Sequence, residues 1–373
     1  MTPLKTTLLC LIPLLALLAY LLFWPIPINP VAWQAPQGQG FVDDFKANTL
    51  LSNIQLSNTE FIDISPHQGA EDFALDSNKA LYTGILYTGT SDGSILRIST
   101  DGKVENWHNT GGRPLGMEFD QQGDLIVADA HLGLLRIDPQ GKQSVLTDSY
   151  DGKPFGFTDD LDISSDGRIF FSDASSKFAA NASDELLQAS LLDIMEHGGH
   201  GRVFVYNPAD QSTQLLTAGM NFANGIAVSF DQQSILVNET GHYRVLKIGI
   251  GKSNFGKSEV LIDNLPGFPD NLNKGQNGRY WLGLTAPRNA LLDNMSDHPW
   301  LRKIVQRLPA FLHPKPIRYG HVVAINDAGE VLQSLQDPTG QYANTTGATE
   351  VGGKLYISNL GETTVARLTI KTK

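Results

Sequence analysis

The chain of 373 residues is 41% hydrophobic and only 18% charged, with 36 Gly, 19 Pro and a single Cys. Sparse charge with abundant Gly and Pro excludes a disordered chain or a coiled coil and fits a turn-rich β protein. With 28 Lys plus Arg against 39 Asp plus Glu, the net charge is −11. No basic tract can follow a phosphate backbone, so nucleic acid is not expected as a partner.

From Thr6 to Trp24 the chain runs without a charge, and Lys5 stands just before it. This is about one bilayer thickness of helix, read as an uncleaved N-terminal transmembrane helix rather than a cleaved signal peptide, because no A-x-A spacing follows. The positive-inside rule then places the rest of the chain on the periplasmic, extracellular or lumenal side. Cys10 lies in this segment, so the external part has neither disulfide nor thiol chemistry. Pro25, Pro27, Pro30 and Pro36 read as a stiff tether. The expected organisation is residues 1–36 as anchor and tether and 37–373 as one domain.

Beyond the tether a unit recurs six times: a short apolar stretch, a turn of Asp, Gly or Asn, then a β-rich stretch. The copies are AEDFALDSNKALYTG, RPLGMEFDQQGDLIVAD, FTDDLDISSDGRIFFSD, FANGIAVSFDQQSILVNE, FPDNLNKGQNGRYWLGL and GATEVGGKLYISN. Marked at Asp72, Gly116, Asp160, Gly225, Asn271 and Thr349, they are spaced by 44, 44, 65, 46 and 78 residues. A period near 45 is the length of a propeller blade. The expectation is an all-β, six-bladed β-propeller, closed so that no sheet edge is left free.

The two long spacings hold helical inserts, at about 177–200 and 287–317. In the first, Leu186, Leu187, Ser190, Leu191 and Ile194 form an apolar stripe. In the second, Leu301, Ile304, Val305, Leu308, Phe311 and Leu312 recur at helical spacing, with Arg302, Lys303 and Arg307 on or near the other face. One reading packs this helix on the propeller. The sharper one makes it a lid over the axial mouth that touches the membrane through its basic residues and Trp300.

The residue that opens each innermost strand faces the propeller axis. Those openings are Glu71 with Asp72, Asp159 with Asp160, Asn224, and Asp270 with Asn271. Three carboxylates (Glu71, Asp159, Asp270) and two amides (Asn224, Asn271), without His or Cys, form a hard oxygen set that matches calcium rather than zinc or copper. Taken singly, each residue reads as a strand-end cap; recurrence at one repeat position favours the site. Gly89 to Gly93 matches G-x-S-x-G but reads as a hairpin tip, not a nucleophile elbow. Asn181, Asn238, Asn294 and Asn344 open N-x-S/T sequons. Phe155, Phe157, Phe178, Phe222, Phe268 and Trp281 fit either a pocket or blade core.

Through RPLGMEF, GRIFFSDASSKF, GRVFVYNP, FANGIAVS, LPGFPDNLN and GRYWLGL, roughly Gly69 to Leu368 resembles the strictosidine synthase-like family, of the adipocyte plasma membrane-associated protein type. That resemblance implies a propeller related to gluconolactonases and paraoxonases, which hydrolyse lactones and aryl esters with an axial calcium. It implies Glu71, Asp159 (Asn in the relatives), Asn224, Asp270 and Asn271 as catalytic calcium ligands. It also implies Asp72, Asp160 and the carbonyl of Met117 at a second, structural calcium. Two departures stand out. Thr346 occupies the place of the catalytic glutamate of true strictosidine synthases, with Glu350 in a different role, so amine–aldehyde condensation is not expected. Leu115 stands where paraoxonases carry a histidine base.

The reading that follows is a calcium-dependent hydrolase of small, including lipophilic, esters or lactones. Asp159 or Asp270 is the best candidate proton acceptor and His131 a weaker one. The alternative is a membrane-tethered binding propeller with a structural calcium.

Overall fold

The computed structural model describes residues 3–37, 53–76, 84–180 and 186–370. Six four-stranded antiparallel sheets make up the β structure, with one short additional hairpin, Ser149–Tyr150 against Lys153–Pro154. The expected six-bladed propeller is what the chain forms. The innermost strands are Ala74–Leu75, Pro114–Phe119, Thr158–Ile163, Ala223–Val228, Gly267–Lys274 and Thr345–Val351, in blades 1 to 6.

Blade 6 takes its outermost strand, Glu60–Asp63, from the other end of the chain. It pairs with Thr364–Thr369, Glu60 opposite Arg367 and Asp63 opposite Thr364. Closure therefore joins the two ends of the domain and leaves blade 6 complete.

Strands such as Leu125–Asp129, Ile169–Asp173 and Ser234–Glu239 are buried at every position, because each sheet packs a neighbour on both faces. Six apolar clusters fill the six inter-blade spaces. Ile126, Ala128 and Leu134 of blade 2 meet Leu161, Phe171 and Phe204 of blade 3, and Trp281 and Val322 of blade 5 meet Leu355 and Ile357 of blade 6. Phe155 and Phe268 also pack on such clusters. Three of the six aromatic candidates are thus blade core.

Among the described residues four α-helices lie outside the sheets: α1 (Pro3–Phe23), α2 (Leu186–Glu196), α3 (Ala290–Asn294) and α4 (Pro299–Arg307). Helix α2 lies between the second and third strands of blade 3, α3 and α4 between those of blade 5. Antiparallel alternation puts both connections on the face where the innermost strands begin. Both inserts therefore sit over the axial mouth.

Their orientations differ from the expectation. In α2 the buried residues are Ala189, Asp193 and Glu196, while Leu187 is exposed. The two acids turn inward to partners: Ser175 Oγ donates to Asp193 Oδ2 at 2.5 Å, and Asn29 N to Glu196 Oε2 at 2.7 Å. In and just after α4 two of the three basic residues turn inward, while Leu301, Ile304 and Val305 are only half-buried. Arg302 is fully buried and Arg307 nearly so, whereas Trp300, Phe311 and Leu312 are exposed. The reason is hydrogen bonding: Arg302 donates to the carbonyls of Met195, Glu196, Val31 and Ser296. Arg307 donates to those of Trp24 and Leu21. Unpaired buried carbonyls would cost more than burying a guanidinium that satisfies several at once.

The segment read as a stiff tether, residues 25–36, is packed between the two inserts as part of the fold. Val31 N donates to Glu196 O and Trp33 N to Ser296 O, and Arg288 holds Pro36 O. Among the described residues no helix is long and apolar enough to cross a membrane. The side chains of α1 are described only from Ile12 onward, so Lys5 and Cys10 lie outside them, as does Asn181.

Candidate axial metal site

In blades 2 to 6 the innermost strand is out of register with its partner at one recurring place: between Pro114 and Met117, Thr158 and Leu161, Ala223 and Ile226, Pro269 and Leu272, and Thr345 and Ala348, with a second shift in blade 5 between Gly267 and Pro269. Such a bulge bends a strand and re-aims side chains. The skipped residues are Leu115-Gly116, Asp159-Asp160, Asn224-Gly225, Asp270-Asn271 and Thr346-Gly347. Glu71-Asp72 leads into blade 1. The sixth repeat is thus centred on Gly347, two residues before the expected Thr349.

The second member of each pair alternates around the ring. Odd blades carry Asp72, Asp160 and Asn271, and even blades carry Gly116, Gly225 and Gly347. The glycines are sterically required. A β-carbon at Gly116 would stand 2.1 Å from Asp160 Oδ1, at Gly225 2.4 Å from Asp270 O, and at Gly347 2.7 Å from Asn273 Oδ1.

The expected first-site residues do come together. Asn271 Nδ2 donates to Glu71 O at 2.8 Å and Glu71 Oε1 at 3.0 Å, although the two are 200 positions apart. All five are at most 5% exposed. Burial, then the charge of Asp270 and Asp159, pushes the Glu71 carboxyl well above the usual range. Burial and Asp270 do the same to Asp159, and burial brings Asp270 to about 7 against a hydrogen bond from Asn224. Carboxyls so crowded outnumber the positive charge set against them.

Three oxygens of this set, Glu71 Oε2, Asn224 Oδ1 and Asn271 Oδ1, are buried without any hydrogen-bond partner. Buried polar atoms are normally satisfied, and a hard cation would satisfy these oxygens and the carboxylate charge together, so the residues present fit calcium. Among the described residues no three His, Cys, Asp or Glu side chains form a metal group by themselves. The two amides are what would complete the donor set.

The second expected site is built differently. Asp72 accepts from Asn273 Nδ2 and from Met117 N, so Met117 approaches through its amide. Asp160 accepts from Leu161 N and Ile226 N. Both carboxylates already pin neighbouring blades, and burial still raises Asp72 to about 6 and Asp160 well above its ordinary range. His131, on the turn after Leu125–Asp129, has a buried Nε2 without a partner. No hydrogen bond joins it to the five axial residues among those described.

Sequence reasoning missed two contributors. Arg113 is buried, donates to Gly69 O and Pro114 O, and its charge opposes the upward shift of Glu71 and Asp159. Its only signal was its place before the second repeat's opening. Asn238 is wholly buried and donates from Nδ2 to Asp270 O and Asn271 O, which holds the two-ligand bulge. The sequon it opens drew attention to the wrong chemistry, since a buried amide so engaged is no glycan acceptor. Asn294 is exposed, Asn344 donates to Thr285 O, and Ser91 lies on the hairpin between Leu86–Gly89 and Ser94–Ile98.

Fold and axial residues together define a six-bladed propeller with a buried oxygen-donor centre. The strictosidine synthase model matches residues 159–252 and the strictosidine synthase-like N-terminal model residues 43–98. Protein STRICTOSIDINE SYNTHASE-LIKE 4 of Arabidopsis thaliana is 33% identical over 328 residues, 86% of this chain and 84% of its own. Adipocyte plasma membrane-associated protein of Danio rerio is 34% identical over 300 residues, 74% of this chain and 70% of its own. The chain belongs to the strictosidine synthase-like family. In fold it matches a gluconolactonase from Xanthomonas campestris (TM-score 0.61, 17% identity, covering 93% of this chain and 99% of that one). It also matches the calcium-binding protein regucalcin from Agrobacterium tumefaciens (TM-score 0.59, 14% identity, 84% and 93%).

Proposed function

We propose that this protein is a calcium-dependent hydrolase of carboxylic esters or lactones. The observation that carries the proposal is the set of buried, partnerless oxygens on Glu71, Asn224 and Asn271 beside two carboxylates. Glu71, Asp159, Asn224, Asp270 and Asn271 would hold the ion, and Asn238 and Thr346, whose hydroxyl donates to Glu71 O, keep two of the ligating segments in place. Bound calcium would polarise the ester carbonyl and acidify an attacking water. Asp159 or Asp270 accepts the proton, with His131 the weaker candidate, and ligation keeps either carboxylate a modest base. Phe157 and Phe222 border the centre and exclude bulk water. Thr346 cannot accept a proton from an amine as a glutamate would, so condensation chemistry is not part of the proposal.

The N-terminal helix anchors the protein in a membrane with the propeller on the non-cytoplasmic side. Exposed Trp300, Phe311, Leu312 and Ile317 rest on the lipid surface beside it. With Arg302 and Arg307 turned inward, this contact is apolar rather than basic.

The test is turnover of phenyl acetate and a small lactone panel by the full chain in detergent, with calcium and with chelator, alongside Asp270→Ala. Loss of activity in both, with circular dichroism unchanged, is expected. Calcium-raised thermal stability without turnover would instead favour a tethered binding propeller.

A further inference from the structure

The tether lies across the mouth of the axial centre. Ile28 is 4% exposed and shares one apolar cluster with Leu115, Phe157, Phe178 and Phe222, against which Ile26 also packs. Leu115 is the first bulge residue of blade 2, and Phe157 and Phe222 stand two positions ahead of Asp159 and Asn224. An apolar seat therefore adjoins the oxygen donors, and a side chain of the tether fills it.

Phe222 holds φ +63°, a conformation costly for a bulky residue and found where a site requires it. Its ring meets Phe157 edge to face, 5.4 Å between centroids.

The far end of the tether is fixed, with Trp33 and Ala35 buried in the cluster between blades 4 and 5 and Gln37 O accepting from Asn264 Nδ2, whereas the stretch ahead of Trp33 hydrogen-bonds through its backbone to the inserts. Its prolines have no N–H to give, and the described backbone bonds from Asn29, Val31 and Trp33 go to Glu196 and Ser296. Among the described residues no blade strand pairs with it. A segment docked on loops and short helices opens at lower cost than a strand within a sheet.

We propose that Ile28 is the resident occupant of an aliphatic-chain site beside the axial centre, and that the tether lifts away when a ligand with an unbranched aliphatic chain takes its place. This rests on the hydrolase reading for turnover, but ligand binding can be examined without it. The ligand class follows from the seat: Leu, Phe and Ala side chains line it, Ile28 has the bulk of a short alkyl segment, and the axial donors Asp159 and Asn224 stand two residues beyond Phe157 and Phe222.

The experiment uses the full chain in phosphatidylcholine nanodiscs with calcium and the non-hydrolysable ketone 2-tridecanone. Hydrogen exchange at Asn29 and Val31 should speed up at least tenfold on saturation while Trp33 and the blade strands stay protected. Ile28→Ser, which lowers the cost of lifting the tether, should bind the ketone on the order of tenfold more tightly. Unchanged or slower exchange with ketone bound overturns the proposal even if Ile28→Ser misfolds, since it would make the tether a permanent roof. Failure of both proteins to bind the ketone overturns it as well. Binding and exchange as expected, with no ester turned over, would sink the hydrolase reading and leave the chain site standing.

Discussion

At the scale of single residues the axial centre depends on close approach as much as on charge. Gly116 and Gly225 leave room for Asp160 and for the backbone of Asp270, at separations no β-carbon tolerates. Gly225→Ala meets backbone on both sides, at Asp270 O and Leu272 N, and should either fail to fold or lose the centre, read as a calcium-independent melting temperature. Asn238 acts at one remove, through the carbonyls of Asp270 and Asn271. Asn238→Ala gives up hydrogen bonds worth about 1–3 kcal/mol, and part of that loss should appear as weaker cation affinity. A terbium luminescence titration is expected to show a decrease of about tenfold, and unchanged affinity would remove Asn238 from the site's support.

Elements of the mouth are arranged by their polar partners rather than their apolar stripes. The exposed Leu187 of α2 and the buried arginines of α4 both follow from backbone groups that needed donors or acceptors where the inserts meet the tether. Arg302→Leu would leave the carbonyls of Val31, Met195, Glu196 and Ser296 short of a donor, at a cost of ~3 kcal/mol. A fall in melting temperature of roughly 5 °C or more is expected. Arg307→Gln should act elsewhere, freeing the end of α1 at Leu21 and Trp24. Faster hydrogen exchange confined to that end, with blade strands unaffected, is the expected signature.

Across the whole molecule, six blades converge their acids on one axis and make stability depend on pH and cation together. Burial raises the carboxyls of Glu71, Asp159 and Asp160, brings Asp270 to about 7 and Asp72 to about 6. The metal-free folded protein therefore keeps protons that the unfolded chain releases near pH 4. Their contribution to stability is complete below that pH, and the part carried by Asp72 and Asp270 is lost as pH rises through about 6 to 7. The melting temperature without calcium should fall between pH 5 and pH 8, and calcium, which binds the deprotonated ligands, should flatten or reverse the fall. A calcium-free protein equally stable at both pH values would mean that these carboxyls are not crowded as the geometry requires.

The repeat was legible in the sequence because each copy is a local unit of two strands and a turn, written in neighbouring residues. The recurrence of Glu71, Asp159, Asn224, Asp270 and Asn271 at one repeat position was legible for the same reason. Local pattern could not say that glycine alternates with acid around the ring, because that depends on which blade stands beside which. Nor could it sort Trp281 into blade core and Phe157 and Phe222 into the mouth. The tether's role lay furthest from the sequence: Arg302 reaches Val31 across 271 positions, and Tyr20 reaches Arg307 across 287. Helical periodicity set which residues of α4 share a face, and only tertiary structure, by bringing unpaired carbonyls against one of them, decided that the arginines would be inside.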